Sequence, residues 1–262
     1  GVTLTSAGAI NTANAGTYAI VPSDAVFSVG SPGNYTISYV NGTLTVNPAP
    51  LTAAVTGTPT RVYNGTTVAT LAPANYALTG FVSGEGATVT QTAGTYNSKD
   101  VVTATTVSVT LAPTDFTATG ATLLSNYTLP TAASGAGQIT AYAVSMTGVR
   151  AYDSTTSVAA GIFTLNPLVG TETLTLSGTG SVPSANAGTY TVALGTLSLG
   201  TLALGDGTNG GLAGNYTFTG GTQTVTIGTA ALAVVTASDA SKTYGTTYTL
   251  GTTAFTAVGL QG

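Results

Sequence analysis

Short runs in which hydrophobic and polar residues alternate recur along the whole chain. Clear examples are "VSVTL" (107–111), "ETLTLSG" (172–178) and "TQTVTIG" (222–228). Alternation at every second position places the apolar side chains on one face of a strand. Turn-rich segments such as "GSPGN" and "GDGTNGG" separate the runs. The pattern therefore predicts an all-β chain of short strands, arranged as small sandwiches of immunoglobulin-like type.

The composition supports strands and excludes several classes of partner. Hydrophobic residues make up 43% of the chain and charged residues only 5%, against about 25% in typical domains. Eight acids and four bases give a net charge of −4, so the sequence lacks the basic patch that nucleic-acid binding requires. No uninterrupted apolar run reaches membrane-spanning length, and we expect no membrane insertion by this segment.

Three residue types that often carry chemistry are absent from the chain, namely cysteine, histidine and tryptophan. Without cysteine there is no disulfide framework and no thiolate chemistry. Without histidine and cysteine the common ligands of zinc, copper and iron are missing, as is the usual base for a serine nucleophile. We therefore expect neither an enzyme nor a bound cofactor.

A sequence landmark recurs three times and consists of a basic residue, any residue and a tyrosine, followed closely by two threonines. It reads "RVYNGTT", "RAYDSTT" and "KTYGTT". An element that is repeated in each unit is more simply structural than a ligand site. The stem of the base is predicted to lie along apolar surface, and the tyrosine to bury its ring while its hydroxyl keeps a partner. The residues concerned are Arg61, Tyr63, Arg150, Tyr152, Lys242 and Tyr244.

Two further landmarks also recur three times along the chain. The second is Ala-Gly-Thr-Tyr, which ends at Tyr18, Tyr96 and Tyr190. The third is Asn-Tyr-Thr, whose tyrosines are Tyr35, Tyr127 and Tyr216. Equivalent tyrosines of the first and third landmarks are 89 or 92 residues apart. A period near 90 residues indicates tandem small domains, not a short-repeat solenoid.

The landmarks divide the chain into four parts. Residues 51–141 and 142–232 each contain all three landmarks and are predicted to be complete domains. Residues 1–50 hold only the second and third landmarks and so resemble the back half of a domain. Residues 233–262 hold only the first and resemble a front half. Domains in series predict an elongated rod.

The landmarks also carry a family resemblance. Tyr152-Asp153 and Tyr63-Asn64-Gly65-Thr66, within the first landmark, resemble the YDG repeat domains of large bacterial surface proteins. "SKTYGTTYTLGTTAFTAVGLQG" resembles the start of the related MBG (mostly beta, glycine-rich) domain, and "ANAGTYAIVPS" with "GNYTISYVNGTLTVNPAPLT" resembles its end. Asn64 replaces the acid of the motif and Ser154 replaces its glycine, so the acid is not required for chemistry.

The resemblance implies a function outside catalysis. Such domains occur in tandem within long secreted adhesins of filamentous-haemagglutinin type. The chain is thus expected to be a stalk segment of an extracellular or cell-surface bacterial protein, with neighbouring repeat domains as its partners. A β-grasp-like topology stays open as an alternative for the MBG-type halves.

Two other functions stay open. The complementary half-domains allow a self-assembling filament, in which identical chains complete each other head-to-tail by strand donation. Alternatively, the chain is a direct binding module for a glycan or a host or cell-surface protein. That hypothesis predicts that exposed aromatic residues outside the repeat pattern, such as Phe27, Tyr39 and Phe81, cluster on one face.

A few acidic residues are isolated candidates for a site or for the surface. Asp206 in "LGDGTNGGLAGN" is a weak calcium candidate, because the loop offers oxygen ligands and glycines but only one acid. Asp115 and Glu172 show no carboxylate neighbour in their local sequence. Both are predicted to be solvated surface acids.

Overall fold

The structure is a computed structural model that describes residues 1–232, 234–252 and 255–260. Parts of the predicted C-terminal segment 233–262 therefore lie outside the described residues. The prediction of an all-β chain is confirmed: strands dominate, and the helical segments are 3-10 turns of three residues. These turns are Ala7–Ala9, Pro32–Asn34, Pro73–Asn75, Pro113–Asp115, Leu124–Asn126, Ala160–Ile162 and Ala213–Asn215.

The strands of the first part of the chain are short, and most contain three to five residues. They are β1 (Thr3–Thr5), β2 (Gly16–Ser23), β3 (Gly42–Val46), β4 (Ala49–Pro50), β5 (Thr52–Val55), β6 (Thr60–Val62), β7 (Val68–Thr70), β8 (Tyr76–Thr79), β9 (Gly86–Val89), β10 (Ala93–Tyr96), β11 (Thr106–Thr110), β12 (Phe116–Thr119), β13 (Tyr127–Thr128), β14 (Ala132–Ala136) and β15 (Gln138–Thr140).

The second part of the chain contains one longer strand near its start. Its strands are β16 (Tyr142–Ala143), β17 (Ser145–Ala151), β18 (Ser157–Ala159), β19 (Phe163–Asn166), β20 (Leu174–Ser177), β21 (Thr179–Ser181), β22 (Gly188–Thr191), β23 (Ala203–Asp206), β24 (Tyr216–Thr217), β25 (Gln223–Gly228), β26 (Val234–Ala237) and β27 (Phe255–Val258).

The chain packs into two compact units. Unit 1 comprises residues 1–61, 66–99 and 103–139, and unit 2 comprises the remainder. Unit 2 therefore includes two short segments, Val62–Gly65 and Asp100–Val102, that come from the sequence of the first complete repeat. The predicted division into four parts stays a prediction about the sequence repeat.

The alternation seen in the sequence reappears as burial. In β11, Val107 and Val109 are buried while the intervening residues are exposed. In β25, Val225 and Ile227 are both at most 1% exposed. The apolar positions predicted from period two thus face a core, and in β11 the polar residues between and beside them face outward.

The strand pairing of the two complete repeats corresponds in three places. Parallel pairing joins β4 to β13 and β16 to β24. The antiparallel pair β9 and β12 of the first repeat corresponds to β20 and β23 of the second. The antiparallel pair β5 and β8 corresponds in the same way to β17 and β19. The four-stranded sheets differ, with order β14-β11-β10-β7 in the first repeat and β19-β17-β25-β22 in the second.

A four-residue insertion explains one difference between the repeats, because 10 positions separate Leu51 from Arg61 whereas 6 separate the equivalent Val144 from Arg150. The second repeat runs through β17 without a break, whereas the first interrupts the same stretch between β5 and β6. Gly57 and Thr58 in the break both have positive φ, at 75° and 45°. Glycine adopts this left-handed conformation readily, and the pair turns the chain before β6 resumes.

The hydrophobic core lies in the two complete repeats. Its buried apolar residues begin at Leu51 and end at Ile227. In the second repeat they form one cluster around Met146 and Val225, both fully buried. Residues 1–50 form the three-stranded antiparallel sheet β1-β2-β3, and β26 pairs with β27. The large apolar side chains described in these terminal stretches are mostly exposed.

Candidate functional site: tyrosine–carboxylate nodes

The base of the first landmark bonds to a carbonyl of its own threonine-rich turn in all three copies. The Arg61 guanidinium donates to the Thr66 carbonyl, and Arg150 Nη2 donates to the Thr155 carbonyl at 2.6 Å. Lys242 Nζ donates to the Thr246 carbonyl at 3.2 Å. In each case a cation thus closes the loop that begins the landmark.

Asp153 adds contacts that belong to the second copy of this loop. Its Oδ1 accepts from the backbone N–H of Thr155 at 3.0 Å and from the Thr155 hydroxyl at 2.8 Å, and it pairs with Arg150. The backbone bond from Thr155 is the main cause that lowers the pKa of Asp153, and the Arg150 charge acts in the same direction. Asn64 and Gly245 stand at the equivalent position.

The landmark tyrosines differ sharply in burial. Tyr63 is 1% exposed and Tyr152 is half-buried against the core of the second repeat. Tyr244, by contrast, is fully exposed at 101%. The sequence prediction that this tyrosine buries its ring is therefore wrong for the third copy.

The tyrosine of the Ala-Gly-Thr-Tyr landmark bonds to a backbone carbonyl each time. The hydroxyls of Tyr18 and Tyr190 donate to the carbonyls of Asn14 and Asn186, both at 2.7 Å. The Tyr96 hydroxyl donates instead to the Pro59 carbonyl, in the break between β5 and β6, at 3.0 Å. The Arg61 guanidinium lies 5.4 Å from the centroid of the Tyr96 ring.

The Asn-Tyr landmark of the first repeat holds the loop that precedes β2. Asn126 ends a 3-10 turn, and its Oδ1 accepts from the backbone N–H of Ala15 at 2.8 Å. Its Nδ2 donates to Asn14 Oδ1 at 3.0 Å. One amide side chain therefore satisfies a backbone donor and a side-chain acceptor of residues 1–50.

The second repeat builds the same amide contact with different partners. Asn215 Oδ1 accepts from the backbone N–H of Val101 at 2.9 Å, and its Nδ2 donates to Asp100 Oδ1 at 2.8 Å. Asn215 is 1% exposed. The acceptor here is a carboxylate, which makes the hydrogen bond stronger than one to a neutral amide.

The tyrosine next to each of these asparagines binds a glutamate. In unit 1, the Tyr127 hydroxyl donates to Glu85 Oε2 at 2.5 Å and accepts from the backbone N–H of Val82 at 3.1 Å. The Phe81 ring packs edge-on against Tyr127, with centroids 5.0 Å apart. We call Tyr127 with Glu85 the unit 1 node.

Unit 2 repeats this geometry and adds a third residue. The Tyr216 hydroxyl donates to Glu172 Oε2 at 2.6 Å and accepts from the backbone N–H of Val169 at 3.0 Å. The Tyr63 hydroxyl donates to the other oxygen, Glu172 Oε1, at 2.6 Å. The rings of Tyr63 and Tyr142 both pack edge-on against Tyr216. We call Tyr216, Glu172 and Tyr63 the unit 2 node.

Tyr127 and Tyr216 are both held in the protonated form. The hydrogen bond to Glu85, followed by burial, raises the pKa of Tyr127 above its usual value of 10. Burial is the main cause for Tyr216, whose pKa is also raised, and the hydrogen bond to Glu172 adds to it. A phenol that donates to a carboxylate resists deprotonation, because the phenolate would face a second negative charge.

The third copy of the Asn-Tyr landmark has a different setting. Tyr35 is 62% exposed, and its ring stacks on Phe27 at a centroid distance of 5.6 Å. Nearby, the Tyr39 hydroxyl accepts from the backbone N–H of Ala25. Phe81, the third aromatic residue considered for a binding face, packs on Tyr127 in the unit 1 node.

The isolated acids mostly bind backbone. Asp206 Oδ1 accepts from the N–H of Ala213 at 2.7 Å, and Asp115 Oδ2 accepts from the N–H of Ala112 at 2.7 Å. The prediction that Glu172 is a solvated surface acid is wrong: it is half-buried between two tyrosine hydroxyls. Within the described ranges, no cluster of three or more acidic side chains is arranged to hold a metal ion.

The glutamates of the nodes were missed from the sequence, although a pattern marks them. Val82-x-x-Glu85 and Val169-x-x-Glu172 stand at the same phase of the two repeats, in "VSGEG" and "VGTET". The valine supplies the backbone donor and the glutamate the acceptor for the same tyrosine hydroxyl. Alignment of the repeats on their tyrosines would have shown this pair.

The chemistry of the nodes is that of structural hydrogen bonding. Each places a phenol hydroxyl between a backbone N–H and a carboxylate of the same chain. In the described part of the protein, no helix is long and apolar enough to cross a membrane.

Comparison with known families agrees with the landmarks. The YDG domain matches residues 47–135, and the MBG domain of the YGX type matches residues 1–45. No curated protein and no solved structure matches the chain. The unit 1 node lies within the residues that match the YDG domain. The predicted kinship is confirmed for these residues: the chain carries an MBG-type segment at residues 1–45 followed by a YDG domain at residues 47–135.

Proposed function

We propose that this chain is a non-catalytic stalk segment of a bacterial surface or secreted adhesin. Its role is mechanical: repeated domains in series hold a distal binding region away from the cell. The protein would act outside the cell, with neighbouring repeat domains as its partners.

The recurrence of the node in both complete repeats carries this proposal. Tyr127 with Glu85 and Tyr216 with Glu172 make the same bonds with the same geometry. The asparagines that precede these tyrosines also share one bonding pattern, in which one amide binds a backbone N–H and a side-chain oxygen. A ligand site needs polar groups directed toward a ligand, whereas these tyrosine hydroxyls and asparagine amides bind other parts of the chain.

The low charge is in keeping with such a role. Four lysines and arginines in 262 residues leave a trypsin-like protease few points of attack. Surface ion pairs are also few, so changes in salt concentration should alter the stability little.

Single-molecule force spectroscopy of the chain tests the proposal. A stalk of two complete domains should give two unfolding events, each releasing about 30 nm of chain for a repeat of roughly 90 residues. The Glu172→Gln variant should lower the force of one event and leave the other unchanged. Extension without resolved events would contradict a mechanical role.

A further inference from the structure

The unit 1 node borders a cavity of about 270 Å³. The loop Asn11–Ala15 and the stretch that joins β3 to β4 form its walls, together with Val82, Glu85 and Tyr127. The cavity therefore lies where residues 1–50 pack against the first complete repeat, inside one compact unit.

In unit 2 a tyrosine stands beside the corresponding glutamate. Tyr63 packs its ring on Tyr216, with centroids 5.6 Å apart, and its hydroxyl reaches Glu172 Oε1. Tyr63 is 1% exposed as a result. Tyr63 thus shows how the tyrosine of a base-x-Tyr landmark can occupy a site formed by a node tyrosine and a node glutamate.

The two glutamates differ in the number of hydroxyls that they bind. Both carboxylate oxygens of Glu172 accept hydrogen bonds from tyrosines. Only Oε2 of Glu85 does so, and among the described residues no donor reaches its Oε1. Glu85 is half-buried and lines the cavity, so its Oε1 can accept a hydrogen bond from one further donor.

One landmark tyrosine is exposed and suited to this site. Tyr244 follows Lys242, which closes its turn as Arg61 closes the turn beside Tyr63. Tyr244 is fully exposed, and large apolar side chains that follow it in the sequence are exposed as well, among them Tyr248, Leu250, Phe255 and Leu260. Residues 1–50 also expose large apolar side chains, among them Val26, Val29, Tyr35 and Val40. Burial of such side chains against a partner is favourable.

We propose that the cavity at Glu85 and Tyr127 is a receptor for Tyr244 of a second copy of this chain. The incoming ring would pack on Tyr127 as Tyr63 packs on Tyr216, and its hydroxyl would donate to Glu85 Oε1. The apolar surface around Tyr244 would then cover that of residues 1–50. The association is head-to-tail, and it goes beyond the stalk role, which needs no contact between chains.

Sedimentation velocity of the full chain from micromolar to millimolar concentration tests this association. The wild-type chain should form larger species as its concentration rises. Tyr244→Ala should remain monomeric, while Tyr248→Ala, which alters another exposed tyrosine of the same segment, should still associate. Tyr244→Phe should bind about tenfold more weakly, because it keeps the ring and loses one hydrogen bond to a carboxylate.

The receptor side has its own matched pair of variants. Glu85→Gln should weaken the association, whereas Glu172→Gln, at the node that Tyr63 already occupies, should leave it unchanged. Circular dichroism of each variant shows whether it has folded. Because Tyr244 is fully exposed, its substitution does not disturb a core and remains informative even if Glu85 variants prove unstable.

A mixture of two variants, each of which lacks one side of the interface, tests the head-to-tail geometry. The Tyr244→Ala chain keeps the cavity at Glu85 and Tyr127, and the Glu85→Ala chain keeps the exposed Tyr244. Each alone should be monomeric, and together they should form dimers that grow no further. A wild-type chain that stays monomeric at millimolar concentration would overturn the proposal, as would equal effects of Tyr244→Ala and Tyr248→Ala. Either result would leave the two unfolding events of the stalk proposal untouched.

Discussion

The unit 1 and unit 2 nodes use the same two side chains in two different states of completion. In unit 2, Glu172 binds the hydroxyls of both Tyr216 and Tyr63. In unit 1, Glu85 binds only Tyr127 and borders a cavity. The tyrosine–glutamate pair therefore forms without the third ring. The Tyr63 residue adds a second hydrogen bond to the glutamate and a ring that packs on the node tyrosine.

The ring packing around the node tyrosine also differs. Tyr142 lies opposite Tyr216 in a parallel pair and packs on it, whereas Ala49 lies opposite Tyr127. Phe81 supplies a ring to the unit 1 node from another direction. An aromatic neighbour thus accompanies the tyrosine in both nodes, although it comes from different places in the sequence. Between the two nodes, the polar contacts of the tyrosine are therefore more constant than its apolar contacts.

Substitution of the glutamates should give the largest contrast between the nodes. Glu172→Ala leaves two buried hydroxyls without their acceptor, and we expect it to lower the free energy of unfolding by about 3 to 5 kcal/mol. Glu85→Ala deprives one hydroxyl and should have a clearly smaller effect. Calorimetry of the two variants measures the difference, which for a domain of this size should exceed about 10 °C in the melting temperature of the affected unit.

The glutamine variants are the control for this contrast. Glu172→Gln keeps the shape and one oxygen acceptor, so it should recover part of the loss. Equal destabilisation by Glu172→Ala and Glu85→Ala would show that Tyr63 adds nothing to the node.

The asparagines beside the node tyrosines should give the next largest difference. Asn215 is buried and donates to a carboxylate, so Asn215→Ala should cost about 2 to 3 kcal/mol. Asn126 binds the neutral side chain of Asn14, and Asn126→Ala should cost about 1 kcal/mol. Asn14→Asp tests the effect of the acceptor's charge, because it gives Asn126 a charged acceptor like Asp100. Urea titration of the three variants compares them, and a larger loss for Asn126→Ala than for Asn215→Ala would contradict this ranking.

The strands could be predicted from the sequence because their rule is local. Alternation in "VSVTL" places Val107 and Val109 on one face whatever the rest of the chain does, and both are buried. The sheet order could not be predicted in the same way. It depends on contacts between distant segments, such as the parallel pairing of β17 with β25, which no short pattern encodes.

The tyrosines of the site could be found from the repeat, but their partners could not be found from local context. Glu172 and Tyr63 are 109 positions apart in the chain. A single acid in a run such as "GTETLTL" has the appearance of a surface residue. Asp100 and Asn14 make equivalent contacts although one follows and the other precedes its Ala-Gly-Thr-Tyr landmark. Sequence alignment alone would not pair them.

Alkaline pH should weaken both nodes. The pKa values of Tyr127 and Tyr216 are raised in the folded state above the usual value of 10. As the pH rises past 10 the unfolded chain loses these protons first, so the folded state binds more protons and its stability falls with pH. The contribution is fully present below pH 10 and is lost as the pH rises through the folded-state pKa. Thermal melting between pH 8 and pH 12 should show the decline, and Tyr216→Phe should make it shallower. An unchanged slope in that variant would exclude the Tyr216 proton as its cause.

The smallest effect should come from the acid of the first landmark. Asp153 binds Thr155 and Arg150, but it is exposed, and Asn64 stands at its place in the first repeat. Arg150 keeps its bond to the Thr155 carbonyl without the carboxylate. Asp153→Asn should therefore shift the melting temperature at neutral pH less than any variant above. The lowered pKa of Asp153 means that its contribution is present above pH 3.8 and is lost as the pH falls below that value. The wild-type chain and Asp153→Asn should consequently converge in stability at acid pH. A loss at neutral pH as large as that of Asn215→Ala would show that the loop of the second repeat depends on its acid, in contrast to the loop of the first.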